Sequence, residues 1–208
     1  MNKDFVNKDI LICGIGGQGT VLASKLIAAA AMNCGSTVHS AETIGMAQRG
    51  GSVTSHVRIG DNAFSPLIPK GSADILLAFE PAEAVRNLFY LKKDGTVIVN
   101  SNPVKPTTES LNDTSYDGTE MLTYLKKKCR HLIIIDAEKI CVPFGSSRYF
   151  NAAILGAAVG AGKLGLPSDA LLQEIATRVP AKFVDTNRKA FLAGIAYAEN
   201  QNTNGIQL

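Results

Sequence analysis

The sequence predicts a single α/β domain, residues 1–208, built on a largely parallel sheet. Three observations carry this expectation. Short apolar runs of strand length alternate with helical stretches over the first two-thirds of the chain. The first of these runs ends in a glycine turn that opens directly into a helix rich in Ala, Leu and Ile. The last third is helical throughout, and no internal repeat is visible.

Taken in order, DILICG at 9–14 is an apolar run ending in glycine and reads as a buried parallel strand. GIGGQG at 14–19 is a glycine turn. TVLASKLIAAAAMNCG carries one charge, Lys25, and predicts a buried helix from about Gly17 to Asn33, with Gly35 as its stop. STVHSAE at 36–42 is a second strand. ETIGMAQRGG at 42–51 has neither helical nor strand period and reads as a loop. SVTSHVRIG at 52–60 alternates, with Val53, Ser55, Val57 and Ile59 on one face and Ser52, Thr54, His56 and Arg58 on the other.

ADILLAFE at 73–80 is another buried strand. Pro81 suits the first turn of a helix through AEAVRNLFYL, and DGTVIVN at 94–100 is a turn and strand. Residues 101–118 are polar and rich in turn formers, a long excursion expected to be mobile or draped over the surface. TEMLTYLKKK is an amphipathic helix and HLIIIDA at 131–137 a strand. FNAAILGAAVGAGKLG at 150–165 is a helix of small residues suited to close packing. Pro167 and Ser168 open a further helix that Pro180 ends, a last helix covers about 185–200, and the tail 201–208 is frayed.

Composition bounds the function classes. With 208 residues, 46% of them hydrophobic and 19% charged, the chain can bury a full core. Disordered chains show the reverse balance. A net charge of +3, no Trp and 6% aromatics exclude nucleic acid as the expected partner. The opening MNKDFVNKDI has no apolar signal region. The longest charge-free apolar stretch, between Arg148 and Lys163, is shorter than the roughly 20 residues of a membrane span. The expectation is a soluble, cytoplasmic protein with no membrane partner. Cys13, Cys34, Cys129 and Cys141 never fall at CxxC spacing, so no metal site is expected and the thiols read as reduced and mostly buried.

The glycine turn is the first candidate site. Glycines let backbone approach an anion, and the helix that follows offers unpaired N–H groups and a partial positive charge. Gly14, Gly16 and Gly19 also fit the dinucleotide pattern GxGxxG, and Glu42, at the end of the second strand, stands where its ribose-binding acid would fall. Three readings stay open on these residues: a nicotinamide or flavin site, a site for another phosphate or acidic group, and a tight turn with no ligand.

The segment 42–58 is the second. Gly45, Gly50 and Gly51 bracket Met46, Gln48 and Arg49, and an arginine among glycines is poised to grip a carboxylate or phosphate with two nitrogens. His39 and His56 lie on the flanking strands, and His56 is a candidate acid or base. The plain alternative is an Arg49 that pairs with a structural carboxylate and a His56 that faces solvent or a partner. The chain has no GxSxG elbow, no GxxxxGK[ST] loop, no HExxH and no thiamin-binding GDG run. It carries fragments of a binding site rather than a complete catalytic set.

Four runs in fixed order are recognisable: GIGGQG at 14–19, ETIGMAQRGGSVTSHVRIG at 42–60, SPLIPKGSADILLAFEPAEAVR at 65–86 and FNAAILGAAVGAGKLGLP at 150–167. Together they resemble the small, gamma-type subunit of the 2-oxoacid:ferredoxin oxidoreductases, with GMAQRGG and SHVRIG most similar to the indolepyruvate branch. The resemblance covers nearly the whole chain, Ile10 to about Ala198, and 101–118 is its least familiar part. It implies a Rossmann-like, three-layer α/β domain. It implies an enzyme that decarboxylates an aryl pyruvate, transfers the acyl group to coenzyme A and passes two electrons to ferredoxin. Thiamin diphosphate, its magnesium and the [4Fe-4S] clusters would sit on a large (alpha) subunit, and this chain would bind no metal. Gly16, Gly17, Gln18 and Gly19 would offer N–H groups to a phosphate or a partner carboxylate. Gln48 and Arg49 would reach toward the partner's active site or the anionic coenzyme.

Overall fold

A computed structural model describes residues 7–44, 50–61, 63–104, 116–146 and 149–204. The first strand, β1 (Lys8–Ile15), lies inside a six-stranded sheet rather than at its edge. Its side chains alternate: Ile10 and Ile12 enter one apolar core, Leu11 and Cys13 the other, and all four are fully buried. Burial on both faces explains why this strand reads as a continuous apolar run.

The remaining strands are β2 (Val38–Ile44), β3 (Ser52–Ile59), β4 (Ala73–Ala78), β5 (Leu91–Asn100) and β6 (His131–Ile135). They stand in the order β2-β3-β1-β4-β5-β6. Strands β1, β4, β5 and β6 are parallel, while β3 runs antiparallel to both β1 and β2. The largely parallel sheet is therefore present, and β3 sits between the first two strands of the chain.

The helices are α1 (Thr20–Asn33), α2 (Pro81–Asn87), α3 (Thr119–Lys128), α4 (Ala137–Cys141), α5 (Phe150–Gly160), α6 (Ser168–Arg178) and α7 (Ala181–Asn204). Helices α2 and α3 cover the face marked by Leu11, Leu76 and Val97. Helices α1 and α4 to α7 cover the face marked by Ile10, Ile75 and Ile98. That gives three layers. The close packing expected of the small-residue helix is realised between α5 and α7. A methyl group at Gly156 would overlap the Phe191 carbonyl, and one at Gly194 would overlap the Ala153 carbonyl.

Several boundaries differ from expectation. Helix α1 starts at Thr20, not Gly17, because Gly19 is left-handed (φ 86°). Helix α7 starts at Ala181, directly after Pro180, whose carbonyl accepts from Phe183 N at 2.8 Å. It runs to Asn204, into the stretch expected to fray, and 205–208 lie outside the described residues. Strand β5 begins at Leu91 because it pairs first with Ala73 and then shifts register before Ile75 meets Thr96. Helix α4 was not anticipated; Asp136 caps it by accepting from Lys139 N at 3.0 Å. Of the long excursion, 105–115 lie outside the described residues.

All four cysteines are free thiols. Cys13 and Cys141 are buried, Cys129 is half-buried, and Cys34 is exposed, contrary to a mostly buried set. Burial pushes the Cys141 thiol up to about 11 and Cys13 higher still. Among the described residues, no helix is long and apolar enough to cross a membrane.

Candidate functional site

The parallel strands point their carboxyl ends at one edge of the sheet. At that edge α1 leaves β1 toward one face and α2 leaves β4 toward the other, opening a crevice where open α/β sheets bind ligands. The glycine turn occupies this crevice. Ile15 to Gln18 form a turn closed by Gln18 N donating to Ile15 O at 3.0 Å, with Gly17 third in it at φ 104°. Only glycine takes that conformation without strain. Gly14 is held by space instead: a methyl there would lie 2.9 Å from Gln18 Oε1, Phe79 Cβ and Thr20 Cγ2.

Two backbone bonds join the glycine turn to the second candidate segment. Gly16 N donates to Gly51 O at 2.8 Å, and Gly50 N donates to Gly16 O at 3.2 Å. The structure thus brings Gly14, Gly16, Gly17, Gln18 and Gly19 together with Gly50 and Gly51. It also corrects their expected use. The N–H groups of Gly16 and Gln18 are engaged inside the protein and are not available to an anion, which leaves those of Gly17 and Gly19. Helix α1 adds its own N-terminus, with no side-chain cap and no acidic residue in its first turn.

On one side of Gln18 lies a cleft of about 410 Å³. Amide side chains dominate its polar walls: Gln18, Asn100, Asn102 and Asn151, with Phe150 and Val104 as apolar surface and Glu138 at the rim. Asn100 is fixed in place. Its Nδ2 donates to Asn102 O at 3.0 Å, and its Oδ1 accepts from Ala137 N at 3.2 Å. Asn151 Oδ1 is buried and has no hydrogen-bond partner among the described residues.

On the other side lies a cleft of about 460 Å³ against α2. Glu80 caps α2 by accepting from Glu83 N at 2.9 Å, and Tyr116 donates its hydroxyl to Glu80 Oε1 at 2.5 Å while accepting from Ala82 N at 3.1 Å. Ser52 donates to Glu83 Oε2 at 2.6 Å, and Arg86 pairs with the other oxygen of Glu83. Burial holds the Glu80 carboxyl above the usual carboxylate range, against the Tyr116 bond, which draws it down. Burial and the Glu80 bond push the Tyr116 phenol well up. Sequence reading singled out none of Ser52, Glu80, Glu83, Arg86, Asn100, Tyr116 or Asn151 as site residues. The available signal was the E-P-x-E cap at 80–83, which fixes two carboxylates at a helix start.

The other candidates fall elsewhere. Glu42 stands on β2, and β3 separates it from the strand that carries the glycine turn. It accepts from Ser24 Oγ at 3.4 Å, facing α1. A dinucleotide acid belongs on the strand beside the glycine turn, so this order does not fit the fingerprint. His56 is buried, not solvent-facing: its Nδ1 accepts from Ile68 N at 3.2 Å, and Tyr90 meets its ring edge-on at 5.4 Å. Burial lowers its pKa and keeps the imidazole neutral. It belongs to the α2 face rather than the crevice and is not placed as an acid or base for it. Met46, Gln48 and Arg49 lie outside the described residues. Among the described residues, no three His, Cys, Asp or Glu side chains come together as a metal site, and the four cysteines stand on separate elements.

The family model for pyruvate ferredoxin/flavodoxin oxidoreductase matches residues 9–197. The chain belongs to this family, as a small subunit of a 2-oxoacid:ferredoxin oxidoreductase. Indolepyruvate oxidoreductase subunit IorB of Pyrococcus horikoshii is 36% identical over 193 residues, 92% of this chain and 96% of that one. The crystal structure of the keto/oxoacid ferredoxin oxidoreductase gamma subunit of Geobacter sulfurreducens shares the fold with a TM-score of 0.67 at 24% identity, covering 92% of this chain and 98% of that one. The 2-oxoglutarate:ferredoxin oxidoreductase of Magnetococcus marinus, solved with 2-oxoglutarate, coenzyme A and succinyl-CoA, shares it with a TM-score of 0.71 at 20% identity. There the match covers 94% of this chain and 32% of that one.

Proposed function

We propose that this chain is the small subunit of an indolepyruvate oxidoreductase. The complex converts an aryl pyruvate, coenzyme A and oxidised ferredoxin to the aryl-acetyl-CoA, carbon dioxide and reduced ferredoxin. Thiamin diphosphate, its magnesium and the iron–sulfur clusters belong to the large subunit; the spacing of the four cysteines here, with none at CxxC, supports this division. The IorB likeness, 36% identity along nearly the full length of both chains, supports the aryl substrate. The chain alone has no turnover.

In this reading the carboxyl edge of the sheet closes over the partner's thiamin site and the coenzyme A channel. The observation that carries it is the pair of backbone bonds between Gly16 and the Gly50–Gly51 turn. They hold Gly50 and Gly51, which follow Met46, Gln48 and Arg49 in the chain, against the glycine turn whose Gly17 and Gln18 line both clefts. Gly17 and Gly19 present N–H groups there, and Arg49 supplies the cation that an anionic coenzyme needs. The clefts themselves are poor in free positive charge, since Arg86 is paired with Glu83.

The experiment is a pull-down of the tagged chain from anaerobic extract, assayed for coenzyme A-dependent reduction of a viologen dye by indolepyruvate. Co-elution of a thiamin- and cluster-bearing subunit with that activity is expected. Arg49→Ala should leave the complex assembled and raise the KM for coenzyme A or lower turnover. Unchanged values for both would remove Arg49 from the site, and a chain that elutes alone and binds a nucleotide by itself would overturn the reading.

A further inference from the structure

Glu80 is an unusual residue with which to cap a helix. Ser, Thr, Asp and Asn are the common caps, because their short side chains reach the N–H groups of the first turn directly. A glutamate must order one more torsion to do the same. Glu80 is also buried, at 1% exposure, and a buried carboxylate is costly unless donors surround it. The use of the extra length is visible in its two oxygens. Oε2 accepts from Glu83 N at 2.9 Å, as a cap does. Oε1 accepts from the Tyr116 hydroxyl at 2.5 Å, and the carboxylate also takes the backbone N–H of Val104.

Val104 and Tyr116 stand near the two ends of the 101–118 excursion, so one buried carboxylate fastens both ends. Further contacts close the same neck. A methyl group on Gly118 would lie 3.2 Å from Pro81 Cγ and 3.4 Å from Pro103 Cβ, which puts both ends side by side on the start of α2. Ser101 N donates to Ile135 O at 2.8 Å, and Asn102 Oδ1 accepts from Glu138 N at 3.3 Å. Val104 stands where the two clefts adjoin, since both are lined by Gly17, Gln18 and Val104. Gly17 and Gln18 belong to a closed turn, and the Gln18 carboxamide is bonded at both of its ends. That part of the junction is rigid by itself; Val104 depends on the neck. Each cleft is large enough for a compact ligand. A molecule that occupies both must be long with a slim middle, as coenzyme A is, with a nucleotide at one end of a thin amide-bearing arm.

We infer that Glu80 is a positioning residue for the reaction of the complex: by holding both ends of the excursion at one carboxylate, it sets Val104 against the glycine turn and fixes the width of the junction that the acyl-accepting thiol spans. It acts through Val104 rather than on the reacting atoms. The identity of the spanning molecule rests on the function proposed above; the clamp rests on the contacts alone. Capping and clamping are then separate duties of one side chain, and the second accounts for a glutamate where a shorter acid would cap as well.

The test uses the complex assembled with the wild-type chain, with Glu80→Asp, Tyr116→Phe or Val104→Ala, or with Glu80→Asp and Val104→Ala together. Aspartate still caps α2 but is too short to hold the neck, so it separates the two duties. The readouts are kcat and the KM values for coenzyme A and the aryl pyruvate by viologen reduction, the denaturation midpoint, and hydrogen exchange at the Val104 amide. Glu80→Asp and Tyr116→Phe should each raise the KM for coenzyme A about tenfold. The kcat and the KM for the aryl pyruvate should not change, and the Val104 amide should exchange faster. Val104→Ala should raise the same KM, and adding Glu80→Asp to it should raise it little further, because the wall that Glu80 positions is already gone. A Glu80→Asp complex with the wild-type KM for coenzyme A overturns the inference whatever its midpoint, since the cap alone then accounts for the residue. Effects of Glu80→Asp and Val104→Ala that multiply in full overturn it as well, because Glu80 would not be acting through Val104. A wild-type complex that reduces no dye with any aryl pyruvate would defeat the proposed function instead. The exchange arm still reads the clamp in that case, and an unchanged Val104 amide in Glu80→Asp would overturn it too.

Discussion

Gln18 Nε2 donates to the carbonyl of Phe79 at 3.1 Å, while its Oε1 accepts from Ile15 N at 2.7 Å. One side chain therefore closes its own loop and ties it to the end of β4. The task needs an acceptor and a donor on one planar group, which only a carboxamide of this length supplies. Gln18→Glu keeps the bond accepted from Ile15 N and sets an oxygen against the Phe79 carbonyl unless the acid is protonated. Its folded-state pKa is then raised, so its stability is best below the ordinary glutamate pKa and declines as pH rises. At neutral pH the loss should be about 1–3 kcal/mol. Urea midpoints at pH 5 and pH 7 check this; an equal loss at both would refute the proton argument.

Glu80 carries a second pH dependence. Burial raises its folded-state pKa, so the folded chain holds this proton longer than the unfolded chain. Its contribution is full below the unfolded glutamate pKa of about 4.3 and declines as pH rises through the folded value. Glu80→Gln keeps an acceptor for Glu83 N and cannot ionise. Its stability relative to wild type should therefore grow as the solution is taken from about pH 4 to about pH 7. A difference that stays flat across chemical denaturation curves would show that Glu80 is no harder to ionise in the folded state.

His56 works in the opposite sense. Its folded pKa is lowered by burial, and its Nδ1 must stay unprotonated to accept from Ile68. Its stabilisation is complete above the unfolded value of about 6.5 and is lost as pH falls below it. His56→Asn retains an acceptor near the same place and removes the titration. The acid-side slope of stability between about pH 6.5 and pH 5 should be shallower in the variant. Calorimetric scans in that range read it directly, and parallel slopes would count against it.

The α5–α7 contact gives the largest expected loss. Gly194 faces the Ala153 carbonyl with no room for a methyl group, and Gly156 faces Phe191 in the same way. Gly194→Ala must push the helices apart, and the core that Phe191 and Ile154 share opens with them. The expected cost is about 3 kcal/mol or more, seen as a lower denaturation midpoint. Gly162→Ala, at a left-handed position with open space around it, should cost less, about 1–2 kcal/mol, through backbone strain alone.

Local signals were read well where local physics decides the outcome. The apolar run, glycine turn and helix at 9–33 announce themselves, as do the Pro81 helix start and the small-residue helix, expected over 150–165 and ending at Gly160. Strand order is another matter. The alternation at 52–59 is the same whether that strand lies at an edge or between two others, and only long-range pairing puts it between β1 and β2. That one placement moves Glu42 away from the glycine turn and buries His56. The Glu80–Tyr116 bond spans 36 residues, including most of a segment with no periodic pattern, and nothing local links the two. Helix α4, at five residues, is too short for periodicity to register.

The position of β1 also sets a schedule for a chain emerging from the ribosome. Ile10 pairs with Val57 on one side and Ile75 on the other, so neither neighbour exists when β1 is made. Strands β2 and β3 can zip together first as a local hairpin, Ile44 opposite Val53. The apolar residues Ile10 to Cys13 wait for that hairpin to be synthesised, and for β4 after it, which takes several seconds at about 5–20 residues per second. Through that interval a strand that is buried on both faces of the finished sheet stays in water as an apolar segment. It is the stretch for which a chaperone would compete.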